Sequence, residues 1–159
     1  MKIGITGHSN LSATTETSVH KAVRDVLDLY SAEGITGVTC LAKGADQVFA
    51  QVVLEVGGDL VVVLPSPNYR DKKVKPANRE KFDELLSRAS EVAYQPFDVP
   101  NRDAYMAASE ELVSRSDLVI AVWDGQPAAG HGGTADVVAY AREQGRDVVI
   151  LWPDGAERE

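Results

Sequence analysis

The chain has 159 residues, a length typical of one domain that buries most of the surface its unfolded form exposes. Sixteen basic and twenty-four acidic residues give a formal net charge of −8, which disfavours nucleic acid as a partner because like charges repel. A single cysteine, Cys40, excludes an internal disulfide. With no recognisable signal peptide or apolar span, we expect a cytoplasmic protein that does not contact membranes.

The first half of the sequence alternates between short apolar runs and helical patterns. Strands are predicted over residues 2–6, 37–42 and 60–64. A helix begins near residues 11–14, with Ser12 or Thr14 as its N-cap, and ends before Gly34. A second helix begins at residues 44–46 and ends at 57–58. Three strands with intervening helices indicate βαβ units and a parallel sheet.

The second half continues this alternation after an irregular stretch. Residues 65–78 contain three prolines and several charges, and we expect a loop there. Helices are predicted over residues 77–89, 103–115 and 134–144, and strands over 91–94, 118–123 and 147–152.

The predicted fold is therefore a single doubly wound α/β domain, residues 1–153, with helices on both faces of a mostly parallel sheet. We expect about six strands in the order 4-3-2-1-5-6, with the fourth at an edge. Residues 154–159 are expected to form a frayed acidic tail.

Glycine-bearing turns follow the first and fifth strands of this predicted sheet. Ligands bind beyond the carboxyl ends of such strands, and glycine permits close backbone approach. A helix start offers N–H groups to a phosphate, although an ordinary capped connection would have the same appearance. The candidate ligand-binding residues in these turns are Thr6, Gly7, His8, Gly130, Gly132, Gly133 and Thr134.

Two further turns add candidate ligand contacts. Gly44, Ala45 and Asp46 open the second helix, where Gly44 would approach a sugar or base and Asp46 would favour the helix dipole. Asp124 and Gly125 would touch a ribose or merely turn the chain.

Several short motifs occur in an order that resembles the SLOG superfamily of Rossmann-like proteins. The resemblance covers residues 1–153, nearly the whole chain. The matching segments are Thr6-Gly7-His8, Ala42-Lys43-Gly44-Ala45-Asp46, Val63-Leu64-Pro65, Asn101-Arg102-Asp103-Ala104-Tyr105-Met106, Ser116-Asp117 before the fifth strand, and Gly133-Thr134-Ala135-Asp136.

This resemblance implies a nucleotide or nucleotide-derived ligand. The superfamily includes lonely-guy type phosphoribohydrolases, which cleave the N-glycosidic bond of nucleoside monophosphates, single-strand DNA-binding DNA-processing A proteins, and domains proposed to sense nucleotide-derived ligands. The hydrolases' arginine falls on Arg102 and their acidic residue on Asp136, which become the candidate catalytic residues. The hydrolases have glutamate where this chain has Asp136, which favours a non-catalytic sensor as the alternative. Relatives are often dimers, so a homodimer is a further expectation.

Other chemical groups have simpler interpretations. His8 and His131 could meet across the cleft, but their spacing matches no established metal pattern, and we predict neither a metal nor a cofactor. Cys40 is interpreted as a small core residue within a strand. One basic cluster is either a flap over an anionic ligand or, as we favour, a solvated surface; it comprises Arg70, Lys72, Lys73, Lys75, Arg79 and Lys81.

Overall fold

The computed structural model describes residues 1–127 and 133–159. Within these residues six strands form one sheet in which every strand pair is parallel. The strands are β1 (Lys2–Gly7), β2 (Thr36–Thr39), β3 (Asp59–Leu64), β4 (Glu91–Tyr94), β5 (Leu118–Val122) and β6 (Asp147–Leu151). Their order is β4-β3-β2-β1-β5-β6, which confirms the predicted order and the predicted α/β class.

Helices cover both faces of the sheet. They are α1 (Ala13–Asp28), α2 (Ala45–Glu55), α3 (Tyr69–Lys73), α4 (Pro76–Ser87), α5 (Arg102–Ser114) and α6 (Thr134–Glu143), with a short 3₁₀ turn at Ser31–Glu33. One apolar cluster joins α1, α2 and α4 to the sheet. A second cluster joins α5 and α6 to the opposite face. The fully buried valines of β3 fit a strand covered on both sides.

Helix α1 shows how the sequence pattern produces a local element. Ser12 is its N-cap, and its hydroxyl oxygen accepts a hydrogen bond from the Thr15 amide at 3.2 Å. The helical spacing of Val19, Val23 and Leu27 puts all three on the buried face. The Ser12 cap was one of the two predicted.

Strand β2 ends at Thr39, three residues earlier than predicted. The Thr39 hydroxyl accepts a hydrogen bond from the Leu41 amide at 2.9 Å, and Leu41 adopts a positive φ of 60°. This turn diverts the backbone from the sheet. Cys40 therefore lies just after the strand, and the prediction that it lies within one was wrong.

The predicted loop over residues 65–78 contains helical structure, and that part of the prediction was wrong. Helix α3 is anchored by the buried Tyr69 and by Arg70, whose Nε and Nη2 donate to the Asp83 carboxylate at 2.7 Å each. Pro76 begins α4, because its fixed φ suits a first helical position and holds Lys75 extended.

The last residues do not fray as expected. The Glu157 amide donates to the Thr15 hydroxyl at 2.8 Å, and Arg158 forms an antiparallel bridge with Leu11. The Asn10 side chain donates to the Glu159 carbonyl oxygen at 2.8 Å. This segment, residues 157–159, is called the C-terminal strap below.

In the part of the chain that the structure describes, no helix has both the length and the apolar character needed to cross a bilayer.

Candidate functional site

A cleft of about 740 Å³ lies at the carboxyl ends of the central strands β1 and β5. Strand β1 leads through α1 to β2 on one side, whereas β5 leads through α6 to β6 on the other. The connections therefore diverge at this point, where open α/β sheets bind their ligands. The volume is within the range of small-molecule sites.

The charge of the cleft is opposite to that of the whole protein. Among the described residues that line it, only Asp46 and Glu159 are acidic. Five are basic: Lys43, Lys73, Lys75, Arg102 and Arg158. On a chain with a net charge of −8, the described lining of the cleft thus carries more basic than acidic side chains.

About half of the predicted site residues line this cleft, and several others lie beside it. The predicted residues that line it are Thr6, Gly7, His8, Asp46, Arg102, Gly133 and Thr134. The cleft's described lining does not include Gly44, Ala45, Asp124, Gly125 or Asp136, although Ala135 and Val137 belong to it. Gly130, His131 and Gly132 lie outside the described residues, so the predicted meeting of His8 and His131 does too.

Gly7 and Gly44 are required by close packing of the protein against itself. A Cβ on Gly7 would lie 2.6 Å from the Ala45 Cβ. Gly44 has a φ of +89°, and a Cβ there would lie 2.7 Å from the His8 carbonyl oxygen. The Ala45 amide donates to that same oxygen at 3.2 Å. Gly44 and Ala45 thus hold the start of α2 against the turn after β1, and their direct contact with a ligand stays a prediction.

His8 links the ends of β1 and β5. Its side chain is buried, its ring lies edge-on to Trp152, and its amide donates to the Val122 carbonyl at 3.1 Å. The Asp124 amide donates to His8 Nε2 at 3.1 Å, and the Asp124 carboxylate Oδ1 lies 3.2 Å from the same nitrogen. Burial lowers the pKa of His8 and the Arg158 guanidinium lowers it further, whereas the Asp124 carboxylate acts to raise it; the net shift is downward, which favours the neutral ring at pH 7.

Asp124 lies at the other end of this link. Its carboxylate accepts hydrogen bonds from the Gln126 amide at 3.0 Å and from Arg158 Nη1 at 3.1 Å. Burial acts to raise the pKa of Asp124, but these two donors and His8 together lower it. The charged Asp124 therefore anchors Arg158 at the cleft.

Asp46 is a buried carboxylate on the cleft wall. Only 7% of its surface is exposed, and burial raises its pKa to about 7. The Ala42 amide donates to Oδ2 at 3.2 Å, which partly opposes that rise. The nearby Cys40 thiol also has a raised pKa, chiefly through burial, and so is not a reactive thiolate at pH 7.

Two helix starts contribute to the cleft from the face covered by α5 and α6. The N-cap of α6 is Gly133, which has no side chain to occupy the first-turn amides. Helix α5 begins at Arg102, one residue before the predicted start, and is capped by Asn101, whose Oδ1 accepts from the Ala104 amide at 2.8 Å. Arg102 is exposed at this first position and lines the cleft.

Several lining residues were missed by sequence reasoning. Tyr69 and Tyr105 lie with their rings at 90° and their centroids 6.1 Å apart, and Asn78 lines the cleft from α4. Lys73 and Lys75 belong to the basic cluster that we interpreted as solvated surface; both are exposed and line the cleft, which agrees with either of the two interpretations. Arg158 was placed in the expected frayed tail.

Within residues 1–127 and 133–159, no group of three or more histidine, cysteine, aspartate or glutamate side chains is arranged to hold a metal ion.

Neither the protein-family models nor the curated protein sequences that were compared with the chain match it. Solved structures do match. DNA processing protein A from Streptococcus pneumoniae is 21% identical over 97% of this chain and 51% of that one, with a TM-score of 0.69. The present chain thus spans about half the length of that protein.

Two other structures match over larger shares of their length. DNA processing protein A from Helicobacter pylori, described as binding single-stranded DNA, is 17% identical over 100% of this chain and 68% of that one, with a TM-score of 0.71. The molybdenum cofactor binding protein from Rippkaea orientalis is 20% identical over 96% and 77%, with a TM-score of 0.61. These neighbours give no support to the expectation that nucleic acid is excluded as a partner.

At such identities the similarity extends to the fold alone. The strand order and these neighbours agree: the chain has a Rossmann-like α/β fold similar to the folds of these three proteins.

Proposed function

We propose that this protein binds a nucleotide or nucleotide-derived phosphate ligand in the cleft at the carboxyl ends of β1 and β5. The observation that carries the proposal is the convergence of five basic side chains on this cleft in a protein of net charge −8. Random placement on an acidic surface would not concentrate cations at the switch point of the sheet. Their position there supports an anionic ligand.

The phosphate would bind where α5 and α6 begin. Arg102 offers a planar guanidinium that suits bidentate contact with a phosphate. The first turn of α6, from Gly133 and Thr134, adds amides and the positive end of the helix dipole. Tyr69 and Tyr105 would provide apolar surface for the base or another planar ring.

Hydrolysis of an N-glycosidic bond is the activity that we propose if the protein is an enzyme. Water would attack the sugar C1′, the C1′–N bond would break, and its electron pair would leave with the base. Arg102 would position the phosphate or sugar, and Asp136 would assist water attack or departure of the base. The alternative is a sensor that binds the same ligand without turnover. The short side chain of Asp136 and its place outside the described lining favour the sensor.

Single-stranded DNA is a second candidate ligand. The specific observation in its favour is the fold shared with the Helicobacter pylori protein described as binding it. The net charge of −8 opposes it. Fluorescence anisotropy of a labelled oligothymidine at physiological salt would identify this ligand by saturable binding.

Thermal unfolding in the presence of AMP, GMP, NAD and ADP-ribose tests the proposed binding. A ligand at about one hundred times its Kd stabilises the folded state by about 2.7 kcal/mol. The neighbouring lysines of α3 provide a matched pair, because Lys73 lines the cleft and Lys72 does not, while both are exposed. We expect Lys73→Ala to weaken binding about 3–10-fold and Lys72→Ala to leave it unchanged.

Arg102→Ala should weaken binding further, by about tenfold or more. Turnover is tested in parallel by the release of free base and ribose 5-phosphate. If the natural protein releases free base and Asp136→Ala does not, the hydrolase is supported. If the natural protein binds the nucleotide but releases no base, the sensor is supported. If none of the four nucleotides stabilises the protein, the proposed function is wrong.

A further inference from the structure

The C-terminal strap reaches the rim of the cleft. Its backbone is held by four hydrogen bonds to residues 10–15, which run from the turn after β1 into α1. The Ser12 amide donates to the Glu157 carbonyl, the Glu157 amide to the Thr15 hydroxyl, the Glu159 amide to the Asn10 carbonyl, and the Asn10 side chain to the Glu159 carbonyl. None of these bonds uses the side chain of Arg158.

That side chain lies at the cleft in a defined orientation. Arg158 Nη1 donates to Asp124 Oδ2 at 3.1 Å, and Nε donates to Asn10 Oδ1 at 3.3 Å. Nη2 donates to no residue that the structure describes. The side chain is 40% exposed and lines the cleft. One part of the guanidinium is thus held by two partners, and its Nη2 group keeps its hydrogen-bond donors available beside the cleft.

We propose that Arg158 is a ligand-binding residue whose Nη2 donates hydrogen bonds to the phosphate of the cleft's ligand. This inference rests on the proposed function and adds a residue to it. Two partners hold the guanidinium before the ligand arrives, so little side-chain freedom is lost on binding. The neutral His8 beside it adds no competing charge.

The choice of phosphate follows from the chemistry of the two guanidinium groups. Arg102 and Arg158 line the same cleft from α5 and from the strap, and neither can lose its charge in a protein. Asp124 neutralises part of the charge of Arg158 but accepts only from Nη1. A group with several acceptor oxygens and more than one negative charge satisfies both arginines.

The test compares each nucleotide with its nucleoside. Binding of AMP, adenosine, GMP, guanosine and inorganic phosphate is measured by calorimetry for the natural protein, Arg158→Ala and Arg158→Lys. The control is Arg88→Ala, because Arg88 is exposed at the C-cap of α4, where its guanidinium pairs with Glu84. We expect Arg158→Ala to weaken nucleotide binding about tenfold, Arg158→Lys to recover part of it, and nucleoside binding to stay constant.

The separate phosphate arm shows whether the group alone is recognised. If the natural protein binds phosphate weakly and Arg158→Ala abolishes that binding, the inference is supported. If Arg158→Ala binds phosphate as well as the natural protein does, the inference is opposed. Exchange protection of the Ser12 amide reports whether the strap remains in place, since that amide bonds to Glu157.

The outcomes separate the inference from the proposed function. Equal nucleotide affinity in Arg158→Ala overturns the role of Arg158 while leaving the cleft as the ligand site. An equal loss of nucleotide and nucleoside affinity, with lost Ser12 protection, assigns Arg158 a structural role and also overturns it. A natural protein that binds none of these five compounds, and neither NAD nor ADP-ribose, defeats both proposals together.

Discussion

The carboxyl group of Asp46 is held in surroundings that penalise its charge. It lies in the first turn of α2, nine-tenths buried, and the Ala42 amide is the donor that the structure gives it. Its pKa of about 7 in the folded protein compares with 3.8 for an unperturbed aspartate. The folded state therefore binds this proton more tightly than the unfolded chain does, and the stability that Asp46 contributes is lost as pH rises from about 4 to about 7.

Asp46→Asn should remove this pH dependence. A difference of about three pH units corresponds to about 4 kcal/mol, so we expect the variant to be about 2–4 kcal/mol more stable than the natural protein near pH 8. Near pH 3 the carboxyl is protonated in both the folded and the unfolded chain, and the two proteins should differ little. Urea unfolding at both pH values measures the difference.

The matched control for Asp46→Asn is Asp25→Asn, because Asp25 is exposed on α1 and pairs with Lys21 one helical turn away. Its effect should stay within about 0.5 kcal/mol at either pH. An Asp46→Asn variant that is less stable at both pH values would show that the charged carboxylate is favourable where it lies.

The side-chain amides of Gln47 and Asn78 join helix α2 to the start of helix α4. Gln47 Nε2 donates to Asn78 Oδ1 at 2.8 Å, and Asn78 Nδ2 donates to Gln47 Oε1 at 3.0 Å. Gln47 is almost completely buried, with 1% of its surface exposed. This pair holds the start of α4 against α2, and Asn78 lines the cleft from there.

Asn78→Ala should destabilise the protein by about 1–3 kcal/mol. The substitution leaves Gln47 Oε1 buried without its donor, and an unsatisfied buried polar group carries a cost of that size. Glu80→Ala, an exposed change on the same helix, should stay within about 0.5 kcal/mol. Urea unfolding measures both variants. Equal stability of Asn78→Ala and the natural protein would mean that Gln47 finds another partner.

The elements that the sequence predicted correctly are those with strong local patterns. The apolar run of β3 and the helical spacing of Val19, Val23 and Leu27 each reflect contacts within one element and its core face. Helix α3 and the C-terminal strap have no such pattern. They depend on bonds to distant residues, Arg70 to Asp83 and Arg158 to Asp124, which no local period encodes.

The candidate site was likewise predicted where its residues follow a local pattern and missed where they depend on distant contacts. Turns after strands are visible in a sequence, and Thr6, Gly7, His8 and Gly133 line the cleft as their positions suggest. Arg158 lines the cleft because the C-terminal strap pairs with Leu11, which is far from it in the sequence. Gly44 was recognised as special, but its backbone approaches His8 of the protein itself.

At the scale of the whole molecule, the acidic surface and the basic cleft respond to salt in opposite directions. A net charge of −8 destabilises the compact state by self-repulsion, and salt screens that repulsion. Salt also screens the attraction between the cleft and an anion. These two effects can be measured separately on one protein.

We expect a rise in NaCl from about 20 mM to about 300 mM to increase the melting temperature of the free protein and to weaken AMP binding several-fold. Binding of adenosine should change little, because it has no charge to screen. Thermal unfolding and calorimetry across the series provide the measurement. AMP affinity that is independent of salt would show that the basic side chains do not contact the phosphate.

The strand order also has a consequence for how the chain is made. Strand β1 is the first to leave the ribosome, yet Ile3 pairs with Leu118 of β5, which emerges after most of the chain. Until then, one edge of the nascent four-strand sheet stays open to pairing with another polypeptide. Late arrival of β5 closes that edge, and only then do the two walls of the pocket face each other. A ligand of the cleft can therefore bind only after β5 has joined the sheet.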